Sequence, residues 1–220
     1  MNDLIPDVTY VLAGSMVVTS FVLLYQTRLS SMLDIFALQS IMLACSVAWQ
    51  AYAQDASQLY ITAAIALVVK GVLIPGVLRR IMEKLGIHRE IEPVVGIGLT
   101  MLAGVALSAL AILVVFPVTA HVPTFTRDDL AFALAVILLG LLLMITRHNA
   151  ISQIIGFMSL ENGLVLAATG AKGMPLVVEI SVAFSILIAF FVFGTFLFRI
   201  RERFDTVDVH ALDRFREDRQ

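Results

Sequence analysis

The sequence predicts an all-α fold: a polytopic membrane helical bundle of about seven transmembrane helices. Composition is the first reason. Of 220 residues, 60% are hydrophobic and only 15% charged, where an average soluble domain is about 25% charged. The second reason is length: apolar stretches recur at about 20 residues, roughly what a helix needs to cross a hydrocarbon core ~30 Å thick. The third is punctuation, because short polar connections separate these stretches.

The expected helices run over 8–25, 32–53, 59–78, 94–116, 130–146, 150–170 and 176–198. Gln26-Thr27-Arg28, Gln54 to Gln58 and Ala171 to Pro175 supply tight turns. Before the first helix, Met1 to Asp7 lacks a basic region, and no small-residue cleavage site follows, so it reads as the start of the mature protein rather than a signal peptide. Cys45 is the single cysteine, so no disulfide framework and no Cys-based metal or iron–sulfur site is expected. It reads as a small buried residue.

The basic residues fall mainly on one side. Arg28, Arg79, Arg80, Lys84, Arg89, Arg147, Arg199, Arg201, Arg203, Arg214, Arg216 and Arg219 share it, twelve of the 15 Lys and Arg. Arg127 and Lys172 fall on the other side, and Lys70 lies within a span. The positive-inside rule makes the basic side cytoplasmic, with the N-terminus outside and the C-terminus inside.

In the fourth span Gly96, Thr100, Gly104 and Ser108 recur every four residues. Such a strip of small side chains lets helix backbones approach closely. It fits packing within the chain or docking to another subunit.

The chain also resembles itself. Phe36-Ala37-Leu38-Gln39-Ser40 in the second span aligns with Met158-Ser159-Leu160-Glu161-Asn162 in the sixth. The expected organisation is a first three-helix unit with its basic loop (1–92), a linking helix and outer loop (93–129), a second three-helix unit (130–198) and a charged tail (199–220). Gln39 is then the uncharged counterpart of Glu161. The tail, with its alternating acids and bases, fits docking on the cytoplasmic side or a solvated end.

Ionisable residues at membrane depth carry most of the functional signal. Glu161 lies near the middle of its span, where a carboxylate costs roughly 2.5–3.5 kcal/mol on insertion scales and calls for a partner or a role. Lys70 is nearly central in the third span, too deep for its stem to reach the interface. A static charge pair and a place in a proton path both account for it. Pro75, five residues on, loosens a backbone hydrogen bond, a feature common where membrane proteins house polar groups or water. Glu179 sits toward the outer end of the seventh span, within reach of headgroup water. Asp34 lies at the cytoplasmic end of the second span and reads as an interfacial ion pair, with Arg28 six residues away. His148, in the inner turn before the sixth span, could pass protons because histidine titrates near neutrality, or is simply solvated. Glu161, Lys70, Glu179, Gln39, Asp34 and His148 are thus the candidate path residues. Phe184, Phe190, Phe191 and Phe193 read as packing rather than a cofactor box.

No His-Glu-x-x-His, Gly-x-Ser-x-Gly or P-loop is present, and all four histidines lie in loops or the tail. No catalytic centre, cofactor, metal site or nucleic-acid partner is expected.

Spans five to seven, with a glutamate in the second helix of a three-helix unit, resemble the K-type membrane component of bacterial respiratory complex I and the C-type component of Mrp cation/proton antiporters. Over nearly its whole length the chain resembles component E of hydrogenase-4 and formate-hydrogenlyase-type membrane complexes. The matching residues are Leu160-Glu161-Asn162-Gly163, Pro175 to Ile180, Lys70 to Pro75 and Val207-Asp208-Val209. The resemblance implies a non-redox subunit of the membrane arm, in the cytoplasmic (inner) membrane of a bacterium or archaeon. It also implies antiporter-like membrane subunits and a peripheral hydrogenase-type module as partners, and H+ or Na+ as the translocated ion. Glu161 would be the carboxylate of the proton axis. The K-type component has a second glutamate deeper in its third helix, whereas this chain has Ser185 near that depth and Glu179 six residues earlier. Lys70 is the candidate to stand in its place. The alternatives are a purely structural scaffold between antiporter-like and hydrogenase subunits, or a subunit of a Mrp-type antiporter. A stand-alone transporter or membrane enzyme fits less well, because no substrate cavity or nucleophile–base constellation is indicated.

Overall fold

The computed structural model describes residues 4–85, 96–119, 124–147, 149–170, 184 and 187. Every regular element among them is helical: α1 (Leu4–Tyr25), α2 (Leu29–Gln54), α3 (Ser57–Ile65), a π-helical segment (Ala66–Leu73), α4 (Ile74–Leu85), α5 (Ile97–Val118), α6 (Thr124–Ile145) and α7 (Ala150–Gly170). The chain forms two compact units, 1–185 and 186–220. The first holds all these elements; of the second only Leu187, helical and exposed, is described.

Six helices among the described residues are long and apolar enough to cross a membrane, α3, the π segment and α4 together making the third. The protein is therefore a multi-pass, all-helical membrane protein, and the expected spans one to six each have a counterpart. The seventh, 176–198, lies outside the described residues except for Phe184 and Leu187, both helical and exposed. The tail and its Val207-Asp208-Val209 lie outside them too.

Three boundaries differ from expectation for local reasons. α6 begins at Thr124, so Asp128 and Asp129 are helical rather than part of the outer loop. α5 continues to Val118 with Pro117 inside its last turn. The third span runs on as helix to Leu85, past the expected end at residue 78. That last stretch, Ile74–Leu85, carries Arg79, Arg80, Glu83 and Lys84. A hydropathy reading stops at charge, whereas a helix can continue into headgroup water.

Helix α2 occupies the middle of the bundle, packing against α1, α3, the π segment and α7. On the other side α6 packs against α7, α1 and α5. Ala13, Met16, Leu43, Val47, Ala133, Val136, Val165 and Leu166 form an apolar core shared by α1, α2, α6 and α7.

The α6–α7 contact is the tightest, and glycine is the cause. A Cβ on Gly140 would lie 2.6 Å from the Leu160 nitrogen, and one on Gly163 2.9 Å from the Ala133 carbonyl oxygen. Only hydrogen fits between these backbones. Without a hydrophobic drive inside lipid, close packing of this kind is a main source of helix association.

In α5, Thr100 and Gly104 are buried, Ser108 is half-buried, and Gly96 is exposed at the helix start. Gly104 faces inward, where an added Cβ would meet Phe21 at 2.9 Å and Leu139 at 3.2 Å. The opposite face exposes Leu99, Leu102, Val105 and Leu113.

Cys45 is exposed, not buried. Hydropathy cannot distinguish an apolar residue facing the core from one facing lipid, because both environments reward it equally.

Candidate functional site

The third span changes geometry at its midpoint. From Ala66 to Leu73 the backbone adopts π-helical turns, and the Ile74 N–H donates to the Val69 carbonyl, five residues back. Pro75 has no N–H, so it donates to neither the Lys70 nor the Gly71 carbonyl. Single π turns are frequent at functional sites. The loosening that Pro75 predicts is present, and the loosened stretch contains Lys70.

Lys70 is 3% exposed and Glu161 2%. The Lys70 ammonium lies 3.4 Å from Glu161 Oε1 and donates to Asn162 Oδ1 at 3.1 Å. The first distance is longer than the 2.7–2.9 Å of the strongest charge-assisted bonds. Lys70 thus sits between two acceptors on consecutive residues of α7.

Asn162 continues the network into α2. Its amide donates to Gln39 Oε1 at 3.3 Å and to Ser40 Oγ at 3.5 Å. Gln39 in turn donates to Ser20 Oγ of α1 at 2.7 Å, and Ser20 to the Met16 carbonyl at 2.8 Å. A continuous chain of polar side chains therefore links the third span, α7, α2 and α1. Gln39-Ser40 and Glu161-Asn162, the residues aligned by the internal repeat, meet one another here.

Of the expected path residues, the fold brings together Glu161, Lys70 and Gln39. Asp34 stands apart, at an exposed position near the start of α2. Its ion pair is with Arg79 of α4 rather than Arg28. The α2 hairpin returns Arg79 to that level, a long-range contact that spacing along one helix does not reveal. Glu179 and His148 lie outside the described residues.

Three buried polar residues do not stand out in the sequence. Asn162 is visible there only as the neighbour of Glu161. Arg147 is 1% exposed, and its guanidinium donates to the carbonyls of Leu24 at 2.7 Å and Gln26 at 2.8 Å, capping the C-terminal end of α1. Burial lowers its pKa from the ordinary arginine value, which is high enough that the group stays charged. Asp129 is fully buried and accepts from Gln50 Nε2 at 3.0 Å. Gln54 joins this second cluster by donating to Gln50 Oε1 at 3.0 Å and to the Thr169 carbonyl at 2.9 Å. A signal was available: Gln39, Ser46, Gln50 and Gln54 fall on one side of α2 by helical periodicity.

No group of three or more His, Cys, Asp or Glu that could hold a metal occurs among the described residues. What the arrangement provides is a desolvated ammonium–carboxylate pair embedded in amides and hydroxyls, the setting for moving or holding a charge.

Fold and site together define a multi-pass helical membrane protein with an ionisable network at mid-depth. The chain is 30% identical over 203 residues to hydrogenase-4 component E of Escherichia coli K12, covering 91% of this chain and 94% of that protein. The Shigella flexneri protein of the same name matches to the same extent. An uncharacterized protein of Mycobacterium tuberculosis is 29% identical over 209 residues, 93% of this chain and 94% of that one. No family model and no solved structure matches. The chain belongs to the hydrogenase-4 component E family.

Proposed function

We propose that this protein is a non-redox membrane subunit of a hydrogenase-4-type complex, in which the Lys70–Glu161 pair takes part in proton translocation driven by redox chemistry elsewhere. The observation that carries the reading is the buried Lys70–Glu161 contact at 3.4 Å beside a π-helical break. Intramembrane ionisable residues that face a bundle interior and pair with one another mark ion pathways. A proton passing from ammonium to carboxylate neutralises both without separating charge, and Asn162, Gln39 and Ser40 offer dipoles that reorient with it. The kinship with hydrogenase-4 component E supports the placement in a complex with other hydrogenase subunits. The basic side of the chain faces the cytoplasm in this reading, and Glu161 is the carboxylate of the path.

The test is Glu161→Gln in the assembled complex, with substrate-driven proton uptake by inverted membrane vesicles as the readout. Uptake falls at least tenfold while the complex still runs as one band on a native gel. Undiminished uptake would end the proposed role. Loss of the band would favour the scaffold reading instead, in which the pair only holds helices together.

A further inference from the structure

The Lys70–Glu161 pair makes no use of the cluster around Asp129. Asp129 sits on α6 with no exposed surface; Oδ2 accepts from Gln50 and Oδ1 has no hydrogen-bond partner. No cation among the described residues pairs with it. A buried carboxylate without a counter-cation is heavily penalised. The charge is most simply balanced by a proton on the carboxyl. In either protonation state Oδ1 needs a partner, and water is one that can arrive and leave.

The position matters as much as the chemistry. Gln50 lies eleven residues beyond Gln39 on α2, about 16 Å along the axis at 1.5 Å per residue. Between the two levels Leu43, Val47, Val165 and Leu166 form an apolar layer. Ser46 is the polar exception at that level of α2: its hydroxyl is buried and has no hydrogen-bond partner. A dry apolar layer between two polar levels holds water back, the principle by which apolar gates work.

We infer that Asp129 is a second proton-binding carboxyl, exchanging with water on the side opposite the basic residues and gated from the Lys70–Glu161 pair by the apolar layer around Ser46. The step is simple: hydronium protonates Oδ1 and leaves water, and the reverse releases the proton. Only O–H bonds form and break. The destination of the proton rests on the reading of Lys70–Glu161 as a transfer pair.

Asp129→Asn is the informative variant, because an asparagine oxygen still accepts from Gln50 but cannot carry the proton. In the full complex in inverted vesicles, its substrate-driven proton uptake falls at least tenfold, and Asp129→Glu recovers most of it. Uptake equal to wild type in Asp129→Asn overturns the inference. A parallel Glu161→Gln measurement separates the two readings: loss in Asp129→Asn alone refutes the pair and spares Asp129, and the converse refutes only Asp129. Should Asp129→Asn fail to assemble, hydration decides. In a Cys45→Ser, Gln50→Cys chain, Ag+ added on the outer side reaches the level of Asp129 and protects the thiol from later maleimide labelling in detergent. No protection from that side means that outer water does not reach Asp129, which overturns the inference.

Discussion

The two sides of α7 solve opposite problems. Toward α6 it presents Gly156 and Gly163, and the backbones close to contact with no room for a Cβ. Helical periodicity puts Glu161 and Asn162 on the other side, where they meet Lys70, Gln39 and Ser40. One interface is held by dispersion between backbones, the other by a charge pair and amides. The first provides rigidity, since glycine contacts have one register. The second is adjustable, since Lys70 has two acceptors. A rigid α6–α7 unit is a sound base for presenting a carboxylate to a neighbour whose own helix is loosened at the same level.

The largest effect that tests this contrast is removal of one charge. Lys70→Met strands a buried carboxylate and costs about 3–5 kcal/mol, whereas replacing both partners by apolar residues of similar volume is close to neutral. Thermal unfolding in detergent should therefore show Lys70→Met well below wild type and Lys70→Met with Glu161→Met close to it. If the single variant is as stable as wild type, the pair is not desolvated and the contrast collapses.

A smaller effect tests the other side. Gly140→Ala forces a Cβ to within 2.6 Å of the Leu160 nitrogen, and overpacking of this kind costs about 1–3 kcal/mol. Gly71→Ala is the internal control. Its Cβ would meet only Ile41 and Leu67 side chains at 3.7 and 3.8 Å, so its melting temperature should stay at or above wild type. Equal loss in both variants would show that the response belongs to glycine in general and not to the close α6–α7 approach.

The smallest effect belongs to the exposed end of α2. The Asp34–Arg79 pair is solvent-accessible, and such pairs are worth about 0–1 kcal/mol and are screened by salt. Asp34→Asn should shift stability by less than that and leave proton uptake unchanged. A translocation defect would return Asp34 to the path.

Much of the architecture is legible in the chain because a bilayer imposes a simple demand. Every backbone polar group must be satisfied within its own segment, so runs of apolar residues read directly as helices. Glu161 and Lys70 are legible for the same reason, as charges that lipid penalises. Asp129 is not, because it sits where a helix meets an acidic loop and looks solvated by sequence. Arg147 has the sequence context of a turn residue, and only the end of α1 closing over it buries it. Cys45 misleads because lipid and core are equally apolar.

The sequence by itself determined the class of fold and the position of Glu161 and Lys70 near the middle of their spans; the strip of small residues it marked lies in α5, whereas the closest backbone approach is between α6 and α7. Tertiary structure alone decided the partners: Lys70 with Glu161 and Asn162, Asn162 with Gln39, Asp129 with Gln50, and Asp34 with Arg79 instead of Arg28. Depth along a span is a local property, counted in residues. Pairing depends on how helices rotate and neighbour one another, and that is set by packing summed over the whole bundle.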